Sequence, residues 1–200
     1  MSLSLKKKSQ VKDPNKAEKL PPGQYLTEKF PVLTYGPVPD FDPKTWDFKI
    51  FGLVEQSVRF SYQEFMSLPK IKVVADFHCV TAWSRLDNEW EGVGIKEVMK
   101  GVKLKPEAKF VMAHCDGGYT TNLPLGAILD DDVLFAYKHD GKNLSPEHGW
   151  PLRLVVPKRY AWKSAKWVRG IEFMDRDRPG FWERYGYHND GDPWKEERYG

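Results

Sequence analysis

The chain alternates short apolar runs with stretches rich in proline, glycine and charged residues. This pattern predicts many short strands and few helices. Residues 46–51 (WDFKIF) alternate apolar and polar side chains, as a half-buried strand does. The dipeptide Asp140-Gly141 predicts a tight hairpin between strands at 132–138 and 142–144. Further apolar runs indicate strands at 72–77, 109–114, 152–156 and 167–174.

Two short helices are predicted from local start and stop signals. Ser61 and Glu64 form a capping-box pattern and Pro69 ends the segment, which places a helix over 62–68. A second helix is expected within 94–101, where Gly101 provides the C-terminal stop. The sequence therefore predicts an α+β, mainly β, single domain.

The composition is that of a folded protein rather than a disordered one. The 200 residues include eight Trp, nine Tyr and eleven Phe, which is enough large side chains for one sizeable core. Residues 1–24 are rich in lysine and poor in large apolar side chains, so we expect a flexible basic arm there. The folded domain is expected over 25–200, with an aromatic C-terminal tail packed across it.

Charge and hydropathy argue against several classes of partner. The chain has 31 basic and 28 acidic residues, and a net charge of +3 is too mild to indicate nucleic-acid binding. The apolar stretch at 123–129 is far shorter than the roughly 20 residues of a membrane span. No export signal is visible at the start, and the expected location is the cytoplasm.

The two cysteines, Cys79 and Cys115, each follow a histidine. Adjacent residues of a strand point to opposite faces and no C-x-x-C spacing is present, so the pairs do not favour a zinc site. Cys115 is interpreted as a small core residue. Cys79 precedes the small and polar residues 80–84, which are expected to form a loop over a pocket. A structural thiol and a ligand or nucleophile are equally open for Cys79.

Basic side chains are concentrated in a second region of the sequence. Arg153 lies in the middle of an apolar strand, where it reaches either a solvated face or an anion in a cleft. The segment 163–166 (KSAK) offers a hydroxyl, backbone N–H groups and two ammonium groups, which suit a phosphate. A solvated surface is an equal alternative for these groups.

Five motifs occur in a fixed order along the chain: FHCVTAWS at 77–84, WEG at 90–92, YTTNLPL at 119–125, HGWPLRLVVP at 148–157 and KSAKW at 163–167. Together they resemble the molybdopterin-binding domain of the sulfite oxidase superfamily. The similarity runs from about residue 31 to the end of the chain. It is strongest to short stand-alone members related to the molybdopterin-dependent methionine-sulfoxide reductase.

This resemblance implies a molybdenum–molybdopterin cofactor and a role for each matching residue. Cys79 matches the thiolate ligand of the metal, and Tyr119 matches a tyrosine of the substrate pocket. The other implied cofactor contacts are Thr34 and Tyr35 in the N-terminal segment, Thr120, His148 at the pterin, Arg153, Ser164 and Lys166 at the phosphate, and Ala165 through its backbone.

Two positions depart from the pattern of animal and plant sulfite oxidases. Leu33 and Ser84 stand where those enzymes carry arginines for a dianion. A neutral sulfoxide or N-oxide needs only one or two hydrogen-bond donors, which Tyr119, Thr120 or Arg85 could supply. We therefore expect two-electron oxygen-atom transfer of the reductase type on a small substrate, with a separate electron-transfer partner. The alternatives are sulfite-oxidase-like oxidation, a non-catalytic molybdopterin-binding module and a basic adaptor for an acidic partner.

Overall fold

The computed structural model describes residues 14–200, and within them eleven strands form two sheets flanked by short helices. The strands are β1 Tyr25–Leu26, β2 Asp47–Gly52, β3 Val58–Ser61, β4 Ile71–His78, β5 Trp83–Gly94, β6 Phe110–Cys115, β7 Thr120–Pro124, β8 Leu134–His139, β9 Lys142–Asn143, β10 Arg153–Val155 and β11 Val168–Met174. The α-helices are α1 Pro14–Glu18, α2 Tyr62–Ser67, α3 Ile95–Val98 and α4 Leu125–Ile128, and single 3-10 turns lie at Asp116–Gly118, Pro146–His148, Ala161–Lys163 and Glu183–Tyr185. The predicted mainly β class is confirmed.

The strands divide into a six-stranded and a five-stranded sheet. The six-stranded sheet has the order β1-β5-β8-β10, with β4 also paired to β5 and β9 to β8. The five-stranded sheet has the order β3-β2-β11-β6-β7. Its central strand β11 runs parallel to β2 and antiparallel to β6, so a late segment of the chain joins two earlier ones.

The six-stranded sheet is covered on both faces. Leu154 of β10 packs in the main core, which combines side chains of both sheets. Its neighbour Val155 packs in a second apolar cluster that also contains Cys79. Burial on both faces explains why 152–156 reads as a continuous apolar run rather than an alternating one. Because side chains alternate along a strand, Arg153 faces the same side as Val155, toward the Cys79 cluster.

Local signals predicted several elements correctly. Ser61 Oγ accepts from the backbone N–H of Glu64 at 3.3 Å, and the Glu64 carboxylate accepts from the N–H of Ser61 at 2.7 Å, which confirms the capping box of α2. Asp140 and Gly141 have φ values of 48° and 75°, and they connect β8 and β9 as the hairpin prediction requires.

Strand β5 is the main departure from the predicted elements. The sequence predicts a loop at 80–84, but this twelve-residue strand begins at Trp83. Many of its residues are Asp, Asn, Glu or Gly, which have low strand propensity. Backbone pairing with β4 on one side and β8 on the other overrides that propensity. Only a tight turn at 79–82 remains between β4 and β5.

Both ends of the described chain pack on the domain. Residues 1–13 of the expected basic arm lie outside the described residues. Within 14–24 the chain forms α1, and the side chain of Gln24 is buried against the backbone of Cys79. In the C-terminal tail, the carbonyl of Asn189 accepts from the buried Lys163 Nζ at 2.6 Å. No helix within residues 14–200 is long and apolar enough to cross a membrane.

Candidate functional site

A cavity of about 610 Å³ opens where the end of β4 meets residues 30–39, the 163–167 segment and the C-terminal tail. Its lining is largely aromatic and apolar, with a few polar groups at defined places. Nine of the residues singled out from the sequence line it, namely Thr34, Tyr35, Cys79, Tyr119, His148, Arg153, Ser164, Ala165 and Lys166. The fold thus brings together motifs that lie far apart in the sequence.

Cys79 follows the last residue of β4 and lies in the wall of the cavity. Its side chain is buried, with Sγ 3.1 Å from the Thr81 hydroxyl. Burial raises the pKa of the Cys79 thiol, while Thr81 and the charges of Arg153 and Arg198 act in the opposite direction. The site therefore offers a single soft sulfur ligand, which favours a thiophilic metal once deprotonated.

Cys115 ends β6 in the five-stranded sheet and packs in the main core. Burial raises the pKa of this thiol strongly. The two His-Cys pairs are not assembled into one site, because His78 bonds to Ser84 and His114 to Glu172. Among residues 14–200, no three His, Cys, Asp or Glu side chains are grouped as a metal site would require.

Two cations lie side by side in the cavity wall. Arg153 and Lys166 are paired by an isolated β-bridge, and Arg153 Nη1 donates to the carbonyl of His148 at 3.0 Å. Lys166 Nζ donates to the carbonyls of Leu33 and Glu147, each at 2.8 Å. Burial lowers the pKa of Arg153 to about 10, and burial together with the neighbouring charge of Arg153 lowers the pKa of Lys166 to about 8. The wall is therefore poised for an anion that neutralises both groups.

His148 is held in a fixed orientation beside these cations. Its ring stacks on Phe30 with centroids 4.3 Å apart, and burial lowers the pKa of the imidazole. Nε2 lies 3.1 Å from the carbonyl of Phe30, and Nδ1 lies 3.0 Å from the hydroxyl of Ser145. A neutral ring must donate from Nε2 to the carbonyl, so Nδ1 accepts from Ser145.

Ser164 and Gly149 shape the same wall. Ser164 Oγ accepts from the backbone N–H of Val156 at 2.9 Å, which leaves its hydroxyl proton to be donated. Gly149 has a φ of +112°, and a Cβ there would lie 3.1 Å from side-chain carbons of Lys166 and 3.2 Å from Cβ of Arg153. The turn therefore needs glycine so that the backbone can approach both cations closely.

Unpartnered donors indicate the kind of ligand that fits. Arg153 Nε and Trp83 Nε1 belong to cavity-lining residues and are buried without a hydrogen-bond partner among the described residues. Leaving a buried donor without an acceptor costs free energy, so a ligand rich in acceptors would relieve it. Molybdopterin fits this donor set, because it combines a ring system rich in heteroatoms, a terminal phosphate and a metal that accepts a thiolate.

Arg85 and Thr120 lie outside the cavity, contrary to expectation. The Arg85 guanidinium donates to Asn88 and pairs with Asp140, while its Nε donates to the carbonyl of Glu28. The structure therefore does not bring Arg85 to the cavity in which it was expected to donate to a substrate. Thr120 lies in β7, and its carbonyl accepts from the backbone N–H of Phe181 at 2.7 Å. Neither side chain contributes to the lining.

The two lysines of the KSAK segment have different roles. Lys163 is fully buried away from the cavity, and its Nζ donates to Asn122 and Asn189 and pairs with Glu183 at 2.6 Å. Only Lys166 faces the cavity. The sequence suggested that both ammonium groups could bind a phosphate. Lys163 is not available for this, because Asn122, Asn189 and Glu183 already bind its ammonium group.

The C-terminal tail supplies part of the lining that sequence reasoning missed. Phe181, Trp182 and Tyr187 line the mouth of the cavity, and the ring of Tyr35 lies 4.9 Å from that of Phe181. The aromatic content of the tail predicted that the tail packs on the domain, but it did not predict that the tail lines the cavity. Tyr119 lines the cavity too, yet its hydroxyl donates to the carbonyl of Trp162 at 2.7 Å. That hydroxyl proton is therefore already engaged.

Comparison with known proteins agrees with this arrangement. The chain is 47% identical to the uncharacterized oxidoreductase YuiH of Bacillus subtilis over 90% of this chain and 92% of that protein. It is 27% identical to the protein-methionine-sulfoxide reductase catalytic subunit MsrP of Gluconobacter oxydans, over 76% of this chain and 56% of that protein. The sulfane dehydrogenase SoxCD of Paracoccus pantotrophus shares the fold, with a TM-score of 0.64 and 23% identity over 74% of this chain and 42% of that one.

The family match covers most of the cavity lining and most of the fold. The model of the oxidoreductase molybdopterin binding domain matches residues 35–182. Plant sulfite oxidase, from Arabidopsis thaliana, is also similar, at 26% identity over 90% of this chain and 56% of that protein. The chain therefore belongs to the oxidoreductase molybdopterin-binding domain family of the sulfite oxidase superfamily, and it is an oxidoreductase whose cofactor is molybdenum–molybdopterin.

Proposed function

We propose that this oxidoreductase reduces a small neutral oxide, a sulfoxide or an N-oxide. The observation that carries the proposal is the placement of charge in the cavity. Among the described lining residues, the basic side chains are His148, Arg153 and Lys166, which form one contiguous wall. These groups match the cofactor contacts, so a dianionic substrate such as sulfite would lack fixed positive partners of its own.

The proposal assigns the cofactor to residues on two sides of the cavity. The Cys79 thiolate would bind the metal, and His148 would contact the pterin. Arg153 through its free Nε, Ser164 through its hydroxyl, Ala165 through its backbone and Lys166 through its ammonium would hold the phosphate end. When bound, the cofactor supplies a metal centre that exchanges two electrons and one oxygen atom with the substrate.

The remaining lining provides a site for a neutral molecule. Tyr35, Phe181 and Trp182 surround the mouth with aromatic faces, which pack well against sulfur and methyl groups. Leu33 adds an aliphatic side chain at the position where the arginine pattern of sulfite oxidases is broken. In the net reaction the S–O or N–O bond breaks, and two electrons and two protons convert its oxygen to water.

A separate redox protein would deliver the electrons in this proposal. The names of two relatives support this part, since one is a catalytic subunit and another a subunit of protein-methionine-sulfoxide reductase systems. In this proposal that redox protein would dock beside the Cys79 turn, whose residues Cys79, Val80 and Thr81 line the cavity.

The direct test compares substrates on cofactor-loaded protein. We expect viologen-driven reduction of dimethyl sulfoxide, methionine sulfoxide or trimethylamine N-oxide to exceed ferricyanide-coupled oxidation of sulfite. Efficient sulfite oxidation without turnover of any oxide would reject the proposal and leave the family assignment intact.

A variant with an added arginine in the cavity lining tests the same proposal more specifically. Leu33→Arg places a guanidinium in the lining, whereas Val32→Arg changes the neighbouring residue, which is similarly exposed but outside the lining. We expect Leu33→Arg to raise kcat/KM for sulfite by roughly tenfold or more, because a charge-assisted contact is worth about 1.5–3 kcal/mol. Val32→Arg should leave it unchanged. Equal effects of the two variants would contradict our inference that the cavity has no positive side chain free to bind sulfite.

A further inference from the structure

The turn that carries Cys79 is defined by few internal contacts. The N–H of Cys79 donates to the carbonyl of Trp83 at 2.8 Å, and the N–H of Ala82 donates to the carbonyl of Cys79 at 3.0 Å. Ala82 has a φ of 74°, a left-handed conformation that is costly for alanine. Such a conformation persists only where surrounding groups hold it in place, so contacts from outside the turn must fix the direction of the thiol.

The N-terminal segment supplies one set of these contacts. Gln24 Nε2 donates to the carbonyl of Cys79 at 3.0 Å, and its Oε1 accepts from the hydroxyl of Ser84 at 3.3 Å. The N–H of Tyr25 donates to the carbonyl of the strained Ala82 at 2.8 Å. Gln24 and Tyr25 therefore form hydrogen bonds to the first and last residues of the turn, Cys79 and Ala82.

Arg198, near the C-terminus, supplies the other contacts. Its Nη1 donates to the carbonyl of Val80 at 2.5 Å, and its Nη2 donates to the carbonyl of Pro22 at 3.3 Å. The guanidinium also lies 5.1 Å from the ring centroid of Tyr160. One side chain thus joins the C-terminal tail, the N-terminal segment and the residue that follows Cys79.

The tail is itself anchored, so Arg198 is held in place. The backbone N–H of His188 donates to the carbonyl of Arg198 at 3.3 Å. The adjacent Tyr199 forms a β-bridge with Tyr187, and their rings meet edge to face at 5.4 Å. Tyr187 lines the cavity, and Arg198 contacts the Cys79 turn. The segment 187–199 of the tail therefore contributes to both.

We propose that Arg198 is a positioning residue that fixes the Cys79 turn, and through it the direction of the Cys79 sulfur, by holding the Val80 carbonyl. The proposal rests on the assignment of Cys79 as the metal ligand. Gln24 and Arg198 both lie outside the matched region 35–182, so this arrangement is a property of the segments that flank the family domain. Arg198 would touch neither the substrate nor the cofactor.

The first experiment measures thiol accessibility in apoprotein that carries Cys115→Ala. Arg198→Gln removes the charge-assisted contacts, and Arg184→Gln changes an exposed arginine of the same tail. We expect the limiting rate of reaction of Cys79 with a thiol reagent at high pH, where loss of the Arg198 charge no longer changes the thiolate fraction, to rise by about tenfold in Arg198→Gln. This is the change in local opening that follows loss of one charge-assisted hydrogen bond. Arg184→Gln should react at the wild-type rate.

The second experiment uses cofactor-loaded protein and monitors the thiolate-to-metal absorption band. Arg198→Gln should shift or broaden this band at unchanged molybdenum and pterin content, and Arg198→Lys should fall between it and the wild type. If Arg198→Gln does not fold, Arg198→Lys decides, because lysine keeps the charge but lacks the rigid fork whose two nitrogens donate to the Val80 and Pro22 carbonyls. Wild-type values of both readouts in a folded Arg198 variant overturn the proposal.

The two readouts separate this inference from the proposed function. A faster thiol reaction in Arg198→Gln, with no thiolate-to-metal band in any loaded protein including the wild type, would reject Cys79 as the ligand and with it the proposed function. The role of Arg198 in holding the turn would still stand.

Discussion

Arg153 carries a positive charge into the protein interior, where its Nε has no acceptor among the described residues. The rings of Phe30, Phe77 and Trp90 lie 5.1–5.9 Å from the guanidinium and offset part of its desolvation. Burial still lowers the pKa of Arg153 to about 10, so the folded apoprotein disfavours the charged form. A buried cation with a free donor is typical of a binding site, which supports the proposed contact of Arg153 with the cofactor.

Arg153→Met should therefore affect stability and cofactor retention in opposite directions. Methionine fills similar volume without a buried charge, so we expect the apoprotein to unfold at an equal or higher temperature. Loss of a charge-assisted contact of about 1.5–3 kcal/mol should weaken pterin retention roughly ten- to a hundredfold. Pterin fluorescence of purified protein and thermal unfolding measure the two effects.

Arg159→Met is the matched control, because Arg159 pairs with Asp190 at 2.8 Å outside the cavity. It should lower the unfolding temperature slightly and retain the pterin. Full pterin content in Arg153→Met would show that Arg153 is not needed to hold the cofactor.

The two cysteines give a second prediction for single residues. Cys79→Ser keeps a small side chain in the cavity wall but removes the sulfur ligand, so the fold should persist while the thiolate-to-metal band and turnover are lost. Cys115→Ala, in the main core, should retain both. Visible absorption and turnover of the loaded variants decide the matter, and loss of the band in Cys115→Ala alone would reverse the ligand assignment.

Among the elements, those with a local signal were predictable and those that depend on partners were not. The capping box of α2 and the Asp140-Gly141 hairpin are encoded within a few residues. Strand β5 could not be found this way, because its polar residues become a strand only through pairing with β4 and β8. Likewise the motifs indicated Cys79 and the basic wall, whereas contacts between distant segments removed Arg85 and Lys163 from the site.

The turn at Gly149 permits a prediction for one element. Gly149→Ala forces a Cβ into a positive-φ position beside Lys166 and Arg153, so we expect a loss of roughly 1–3 kcal/mol in stability and reduced pterin content. Gly126→Ala is the control, since Gly126 lies in α4 with open space around its Cα. It should be neutral or stabilising by up to about 1 kcal/mol. Urea unfolding of both variants measures the difference, which must vanish if the Gly149 turn tolerates a side chain.

At the scale of the whole molecule, a buried ion pair attaches the tail to the five-stranded sheet. Lys163 and Glu183 have fully buried side chains 2.6 Å apart, and Lys163 also donates to the carbonyl of Asn122 in β7. The cytoplasmic location expected from the sequence stays a prediction. The ion pair itself explains why the aromatic residues that follow Gly180 are fixed over the cavity rather than free.

Removing one partner of this pair should be far more damaging than removing a surface partner. Glu183→Gln leaves the Lys163 charge buried, and we expect a loss of about 3–5 kcal/mol in the free energy of unfolding. Lys96→Gln breaks an exposed pair with Asp131 and should cost no more than about 1 kcal/mol. Equilibrium unfolding in urea compares the two, and a similar small loss in both would mean that the tail is anchored by its aromatic packing instead.

The central place of β11 in the five-stranded sheet has a consequence for synthesis of the chain. Gly170 pairs with Lys49 of β2 and with His114 of β6, so the β2–β3 and β6–β7 pairs are not joined into one sheet until β11 has been made. Contacts between such distant segments form slowly, because a long loop must close before they contribute. A nascent chain therefore leaves one edge of β2 and one edge of β6 unpaired until β11 is made, and molybdopterin has no complete cavity to enter before the lining residues Phe181, Trp182 and Tyr187 are in place.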